Sequence, residues 1–329
     1  MEVPCVSVPR AEGEATRREL AEADLIADDR EITVEEDWLY IPVVDPDAVP
    51  DGFDLVVRDA PERETQTTPA DLLGVDPSYE RLGDIVLLDE DDPERADRIA
   101  RAIVASDLPV GTVLNKASKV KGETRIRDWE LLAGEGTETV HREYGFEYAL
   151  DLAAVYFSPR LATERHRVTE QVAENEHVFD MFAGVGPFAI PAAARGAQAV
   201  GADVNGRAIE YLRENAERNG VGDRVTAFHG DVREVAPEYE GWADRILMNL
   251  PHSAEGFLET AVSLAGDECV LHYYDIQHDE DPFGPGERAI RAAASAQGYD
   301  VEVLTRHVVR SYAPHELNVC LDVRLSRAA

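Results

Sequence analysis

The feature that most constrains the fold is a series of apolar segments after Phe157, each ending in a polar residue and followed by a helical pattern. Strands are expected at 177–180, 199–202, 225–228 and 245–248. Strands that alternate with helices in this way form βαβ units, in which neighbouring strands are parallel. The sequence therefore predicts a doubly wound α/β domain over residues 158–329.

The first of these strands leads into a glycine-rich turn that contains Gly184 and Gly186, and a helix follows with Pro187 in its first turn. Glycines at this position let the backbone approach a ligand closely. The second strand ends at Asp203, about 20 residues later, where a carboxylate can accept both hydroxyls of an adenosine ribose. Phe188 replaces the third glycine of the dinucleotide pattern, which disfavours a pyrophosphate. We therefore expect an adenosine ligand without a diphosphate.

Polar residues end all four strands, namely Asp180, Asp203, Asp231 and Asn249. Any one of them alone is more simply explained as a helix cap or a turn former. Four in series at the carboxyl edge, where open α/β sheets bind their ligands, favour a binding site.

Two smaller α+β domains are expected before this one. Residues 1–52 contain a strand at Val3–Val8, a helix at Gly13–Leu25 and a strand at Trp38–Val44. Residues 45–52 are dense in Pro, Asp and Gly and predict a linker. The second domain, residues 53–157, is expected to include a helix near Ile99 and a hairpin around Tyr144-Gly145.

The chain of 329 residues has 32 basic and 66 acidic side chains, a formal charge of −34. The acidic excess is spread over the whole length, which is typical of a halophilic cytosol. At molar salt the screening length is only about 3 Å, so this net charge does not exclude an RNA partner. Three cysteines without pairing spacing predict neither disulfides nor a metal site, and the apolar pattern predicts no membrane span. We expect a cytoplasmic monomer without metal.

One stretch reverses the sign of the charge, because Lys116, Lys119, Lys121, Arg125 and Arg127 face only one acid, Glu123. A solvated surface is the simpler explanation of such a run. In a chain this acidic, however, a local basic stretch is what contact with phosphates requires. We interpret it as an RNA-facing edge.

Short motifs distributed over nearly the whole chain resemble the archaeal and eukaryotic tRNA (guanine37-N1)-methyltransferase family. They are 180–188 (DMFAGVGPF), 203–205 (DVN), 230–234 (GDVRE), 248–251 (MNLP), 272–274 (HYY), 311–314 (SYAP), 3–6 (VPCV), 121–127 (KGETRIR), 132–135 (LAGE) and 155–161 (VYFSPRL). The resemblance implies a class I, Rossmann-like fold, S-adenosylmethionine as methyl donor, and transfer to N1 of guanosine 37 in tRNA. It also implies that the N-terminal domain contacts tRNA.

The resemblance implies residue roles as well. Arg125 would contact guanine O6 and Glu164 would be the general base, although the sequence alone predicts a solvated helix position for Glu164. Asn249 would orient the base or the donor. The cofactor-binding residues expected are Tyr156, Arg165, Asp180, Phe182, Gly184, Gly186, Asp203, Val204, Asp231, Val232, Asn249 and Pro251.

Two alternatives stay open. The chain could instead be a wybutosine-pathway aminocarboxypropyl transferase, an enzyme with a similar cofactor domain. It could also be a non-catalytic adenosine-nucleotide or RNA-binding protein, in which Arg125 and Glu164 would have no catalytic role. The loop Asn249-Leu-Pro251 departs from the Asn-Pro-Pro-aromatic loop of enzymes that methylate exocyclic amines, so methylation of an amine is disfavoured.

Overall fold

The computed structural model describes residues 2–63, 66–119, 122 and 124–328 and divides into two compact units. The first comprises Met1–Leu72 with Ser106–Leu108, and the second comprises Leu73–Ala105 with Pro109–Ala329. None of the helices in the described ranges is both long and apolar enough to cross a membrane.

The first unit is a four-stranded antiparallel sheet of order β2-β3-β1-β4 with a helix packed on it. Its elements are β1 (Glu2–Pro9), α1 (Gly13–Glu22), β2 (Thr33–Glu35), β3 (Trp38–Pro42), β4 (Asp54–Asp59) and, at its end, α2 (Pro69–Leu73). Leu20 of α1 is fully buried against Val6 and Ile41. The structure differs from the expected boundary after residue 52, because β4 returns to pair with β1 and the Pro-rich stretch is a loop within one sheet.

The second unit begins with a four-stranded sheet of order β5-β6-β7-β8 and a hairpin. The elements are β5 (Glu80–Leu82), β6 (Ile85–Leu88), α3 (Pro93–Ala105), β7 (Thr112–Lys116), β8 (Trp129–Ala133), β9 (Glu138–Glu143) and β10 (Phe146–Asp151). Tyr144 and Gly145 both have positive φ, 47° and 88°, as a two-residue hairpin turn of type I′ requires. Tyr148 and Leu150 share a core with Ile190 and Leu212, so the structure does not separate 53–157 from the following residues as a compact unit of its own.

The remainder is a seven-stranded sheet of order β13-β12-β11-β14-β15-β17-β16. Helix α4 (Ala162–Thr169) precedes this sheet. The strands and the helices that connect them are β11 (His177–Asp180), α5 (Ala189–Ala194), β12 (Gln198–Asp203), α6 (Gly206–Arg218), β13 (Val225–His229), α7 (Val232–Val235), β14 (Ala243–Met248), α8 (Leu258–Leu264), β15 (Ala265–His278), α9 (Gly284–Ala296), β16 (Tyr299–Ala313) and β17 (Glu316–Arg327). Strands β11 to β15 are parallel, which confirms the predicted α/β sheet.

The topology decides which residues meet at one edge. The carboxyl ends of the parallel strands lie together, and β17 runs antiparallel to β15, so the first residues of β17 lie at this edge too. Asn318 of β17 therefore pairs with Ile276 near the end of β15 and with Arg310 near the end of β16.

Candidate active site

A cavity of about 420 Å³ opens at this edge of the sheet. It is lined by the loops after β11, β12, β13 and β14, by residues around Arg125 and Tyr156, and by the ends of β16 and β17. The predicted site residues that line it are Arg125, Tyr156, Arg165, Phe182, Gly184, Asp203, Val204, Asp231, Val232, Asn249 and Pro251.

The Asp203 carboxylate joins two of these loops. One oxygen accepts a hydrogen bond from the Gly184 amide and the other from the Asn205 amide, both at 2.8 Å. Each oxygen keeps a second lone pair for a ligand. Gly184 has φ +53°, and a Cβ added there would meet no atom within 4 Å, so its backbone faces open space. The Asp203 carboxylate and the Gly184 backbone are therefore available to a ligand that carries hydroxyl groups.

Apolar side chains form the neighbouring part of the cavity. The Phe182 and Phe257 rings meet edge to face at 5.0 Å, and the Arg233 guanidinium lies 4.8 Å from the centre of the Phe257 ring. Asp231 caps α7 by accepting from the Arg233 amide at 2.9 Å and also pairs with the Arg233 side chain. Asp231 is thus a helix cap, as the simpler explanation of strand-end polar residues expects, and it also lines the cavity.

Two predicted cofactor residues do not line the cavity. A Cβ on Gly186 would lie 2.3 Å from Leu212 Cδ1, so this glycine allows close packing on α6 and does not face the ligand space. Asp180 is 1% exposed; one of its oxygens accepts from the Phe182 amide at 3.3 Å, and the other has no partner among the described residues. Burial raises the pKa of Asp180 to about 7, and the charge of Asp203 acts in the same direction.

Guanidinium and amide side chains also line the cavity. Arg125 has a φ of +55°, in the left-handed region, and its guanidinium lies 5.1 Å from the centre of the Tyr156 ring. Asn249, Arg310 and Asn318 line the same space. Arg310 and Asn318 are not among the residues that the sequence predicts for the site. Arg310 directly precedes the SYAP motif, and Asn318 is a polar residue within an apolar strand, so both carried a detectable signal.

Arg165 lines the cavity, yet its guanidinium is already bonded to other groups of the protein. It forms a buried ion pair with Glu143, donates to the Ser158 carbonyl at 3.1 Å and lies 4.9 Å from the centre of the Phe157 ring. Its contacts fix the chain around Tyr156 and Phe157.

Glu164 is buried and is absent from the lining of the cavity, although its neighbours Leu161 and Arg165 belong to that lining. Arg167 donates to both carboxylate oxygens at 2.7 and 2.8 Å, and the Tyr274 hydroxyl donates to one of them at 2.8 Å. His307 Nε2 lies 3.2 Å from the other oxygen. The solvated position that the sequence alone predicts for Glu164 is therefore wrong, because this face of α4 contacts Tyr274 of β15 and His307 of β16.

A chain of buried charges continues from Arg167. Arg167 donates to Asp322 at 2.6 Å, and Asp322 lies 2.7 Å from His272 Nδ1. Arg245 can only donate, so His272 Nε2 accepts from it at 2.6 Å and the ring proton is on Nδ1, directed at Asp322. Burial lowers the pKa of His272, in agreement with a neutral ring. Although burial of Asp322 acts in the opposite direction, the bonds from His272 and Arg167 hold its pKa well below its usual range.

The basic stretch is only partly available to a ligand. Lys116 pairs with Glu80 at 3.4 Å and with Asp89 at 2.8 Å and is largely buried, whereas Lys119 is exposed. Lys121 lies outside the described residues. Arg127 lies 5.4 Å from the centre of the Trp129 ring, and it lines, with Arg125 and Arg310, a smaller cavity of about 110 Å³.

The strand order, the glycine turn and the carboxylate after β12 define a class I methyltransferase fold. Residues 139–304 match the family model of the TRM5/TYW2 methyltransferase domain, residues 5–50 match the tRNA methyltransferase 5 N-terminal domain, and residues 65–137 match the TYW2 N-terminal domain. The chain belongs to the TRM5/TYW2 methyltransferase family.

Individual relatives agree with this assignment. The chain is 42% identical to the tRNA (guanine(37)-N(1))-methyltransferase Trm5b of Pyrococcus abyssi over 98% of both chains, and the crystal structure of that protein superposes with a TM-score of 0.73 over 98% of this chain and 99% of that one. A complex of aTrm5 with tRNALeu gives the same TM-score at 33% identity, covering 98% of this chain and 99% of that one. The Pyrococcus horikoshii tRNA(Phe) (4-demethylwyosine(37)-C(7)) aminocarboxypropyltransferase is 37% identical over 75% of this chain and 89% of its own length.

The buried Asp180 generates a prediction about pH. Its folded pKa, about 7, exceeds its ordinary value of 3.8, so ionisation favours the unfolded chain and stability is lost as the pH rises from about 4 to about 7. Asp180→Asn removes this loss. We expect the difference in unfolding free energy, variant minus wild type, to rise over that range and to level off above it. Urea unfolding at constant salt measures it, and a difference independent of pH would contradict the assignment.

Proposed function

We propose that this chain transfers a methyl group from S-adenosylmethionine to N1 of guanosine 37 in tRNA, with Glu164 as general base and Arg125 stabilising the charge on O6. The observation that carries the proposal is that one cavity is lined both by Asp203 with Gly184 and by Arg125 with Asn249. Donor and base would therefore meet in a single space.

The residues present fit the donor. Asp203 has free lone pairs beside a glycine whose backbone faces open space, as a ribose diol requires, and Phe182, Val204, Val232 and Phe257 offer apolar surface for an adenine ring. When bound, the donor supplies an electrophilic methyl group on a sulfonium.

The acceptor needs help from the protein. N1 of guanine carries a proton and becomes nucleophilic only as that proton leaves and negative charge spreads to O6. Arg125 can stabilise this charge, because its guanidinium has no ion pair with any described residue. As the bond from N1 to the methyl carbon forms, the bond from carbon to sulfur breaks and the N1 proton passes to Glu164.

For this transfer, Glu164 has to exchange one of its present partners for guanine N1. Its contact with His307 is the longest of the four and the His307 side chain is 38% exposed, so this contact is the easiest to replace. Arg167 would keep its place because Asp322 holds it from the other side.

The relatives favour methyl transfer over aminocarboxypropyl transfer. The aminocarboxypropyltransferase of Pyrococcus horikoshii leaves a quarter of this chain unmatched, whereas the Trm5b protein of Pyrococcus abyssi matches 98%, and residues 5–50 fit a tRNA methyltransferase 5 N-terminal domain. We assign tRNA binding to this N-terminal unit and to Lys119 and Arg127. All groups that the reaction uses come from one chain, and the proposal requires no metal.

The direct test incubates the protein with labelled S-adenosylmethionine and unmodified tRNA transcripts, followed by digestion and mass spectrometry of the nucleosides. The proposal predicts 1-methylguanosine at position 37 and no product from a transcript with adenosine there. An aminocarboxypropyl mass at that nucleoside would support the alternative enzyme, and the absence of any product would support a binding protein.

The donor end is tested by Asp203→Ala. The variant should weaken S-adenosylmethionine binding by about 1.5 to 3 kcal/mol, since charge-assisted bonds to hydroxyls are lost. Calorimetry measures this affinity. Asp244→Ala makes the same change of charge on an exposed residue near the opposite, amino end of β14 and should leave the affinity unaltered. An affinity for Asp203→Ala within twofold of wild type would refute the pocket assignment.

The acceptor end is tested by Glu164→Gln and Arg125→Ala. Glu164→Gln should lower the single-turnover rate by roughly 10² to 10⁴ while donor and tRNA affinities stay near wild type, and higher pH should partly restore the rate. Arg125→Ala should raise the barrier by about 2.7 to 4 kcal/mol, and the two effects should be less than additive. Glu170→Gln, one residue beyond the end of α4 and exposed, is the matched control. A wild-type rate for Glu164→Gln would show that another group takes the proton.

A further inference from the structure

Two histidines and an aspartate come together at the protein surface where strand β15 ends. His278 is the last residue of β15, Asp279 follows it, and His315 lies in the two-residue turn between β16 and β17. One nitrogen or oxygen atom from each of the three lies within 4.8 Å of the other two. All three residues are exposed, and none of them lines the two cavities described above. The cluster is therefore separate from the candidate active site.

The distances in this cluster suit a single metal ion. The Nδ1 atoms of His278 and His315 each lie 3.2 Å from an oxygen of the Asp279 carboxylate, one from each oxygen. Two ligands that bind a tetrahedral zinc ion at about 2.0 to 2.1 Å are about 3.3 to 3.4 Å apart. Each histidine nitrogen therefore lies close to the separation that two ligands of one ion require, and exposure leaves a fourth position to water.

The hydrogen bonds around His278 leave its Nδ1 without a proton. The Glu280 amide donates to this nitrogen at 3.3 Å, and a backbone amide can only donate. Nδ1 and the Asp279 oxygen are then two acceptors 3.2 Å apart, and such a pair is stabilised when a cation lies between them. A nitrogen that binds a metal must also be deprotonated. The lone pair of this nitrogen is therefore suited to a metal ion, which would replace the long bond from the amide.

The turn that carries His315 supports a role for this side chain beyond the turn itself. Pro314 and His315 are the two residues between β16 and β17, and His315 has a φ of +62°. Glycine is the usual residue at such a position, because a Cβ there strains the backbone. The His315 carbonyl accepts from the Asp279 amide at 3.0 Å, which fixes the turn beside the end of β15. The backbone therefore holds the three side chains together.

The surroundings favour a cation, and the ligand atoms select its class. Asp279, Glu280, Asp281 and Glu316 all lie within or directly beside the cluster in sequence, and the Arg288 guanidinium lies 3.6 Å from the Asp281 carboxylate. Two imidazoles with one carboxylate suit Zn²⁺ and related transition metals, whereas Mg²⁺ and Ca²⁺ prefer oxygen ligands. We therefore expect a divalent transition metal of the zinc class.

We infer that His278, Asp279 and His315 bind one divalent transition metal ion such as Zn²⁺, which fastens the β16–β17 turn to the end of β15. The ion would stabilise this part of the fold. None of the groups that the proposed methyl transfer uses belongs to the cluster, so the two proposals can fail independently.

The experiment titrates Zn²⁺ into the full chain, without an affinity tag, and measures binding by calorimetry after a chelator has been used and removed. Molar KCl and an excess of Mg²⁺ are present, because they screen and occupy the surface carboxylates. Wild type should bind one zinc ion per chain. His278→Ala, Asp279→Asn and His315→Gly should each weaken this binding by about tenfold or more, since each removes a ligand.

His177→Ala is the matched control. His177 is half-exposed and lies 3.4 Å from the Asp244 carboxylate, but it belongs to no cluster of three such residues in the part of the chain that the structure describes. Its loss should leave zinc affinity unaltered. A second cluster, His272, Cys320 and Asp322, is buried and already bonded to two arginines, so it should not take the ion.

Thermal unfolding separates loss of the metal site from damage to the turn. Glycine suits the positive φ of residue 315, so with a chelator His315→Gly should unfold at or above the wild-type midpoint. Added zinc should raise the midpoint of wild type, because it binds only the folded site, and should leave that of His315→Gly unchanged.

Absence of zinc binding in wild type, displacement of zinc by Mg²⁺, or equal affinity in wild type and the three variants overturns the inference. A rise in the midpoint of His315→Gly equal to that of wild type overturns it as well, because the zinc would then bind elsewhere. Methylation of tRNA with a chelator present tests the proposed function separately.

Discussion

Strand β11 is hydrogen-bonded to β12 on one side and to β14 on the other, all running in the same direction, and this parallel arrangement determines where the loops that follow these strands lie. It brings the loop with Gly184, the carboxylate of Asp203 and the amide of Asn249 to one edge. The antiparallel pair β17 and β16 then adds Asn318 and Arg310 from a distant part of the sequence. The cavity is therefore a consequence of the strand directions, and its chemistry depends on which residues end or begin those strands.

A second constraint acts behind the cavity. Arg167 lies between the buried carboxylates of Glu164 and Asp322, and Asp322 is held in turn by His272. Removing one member of such a group leaves an uncompensated buried charge, so these side chains stabilise one another. The same arrangement holds Glu164 close to the cavity in a defined orientation but occupied by protein partners. In the proposed mechanism, its use as a base therefore requires a local rearrangement that replaces the contact with the half-exposed His307.

Periodicity and strand-end residues predicted the parallel sheet, the glycine turn and the position of Asp203, because these depend on local pattern and on the rule that parallel strands end at one edge. Burial of Glu164 could not be predicted in this way, since α4 is covered by strands that lie more than a hundred residues further along the chain. The lysine run suggested one basic surface, yet Lys116 is paired with Glu80 of β5 and with Asp89, which follows β6. The linker predicted from composition is a loop of a single sheet, because pairing of β4 with β1 is a long-range contact.

The most direct test of the proposed mechanism is a crystal structure of this chain with a tRNA carrying guanosine 37 and a donor analogue that cannot transfer its methyl group. The mechanism requires that the Glu164 carboxylate lies within hydrogen-bonding distance of guanine N1, about 3 Å, with Arg125 at O6 and with Arg167 still bound to Asp322. A complex in which Glu164 keeps its contacts with Arg167, Tyr274 and His307 while guanine N1 faces another group would contradict it.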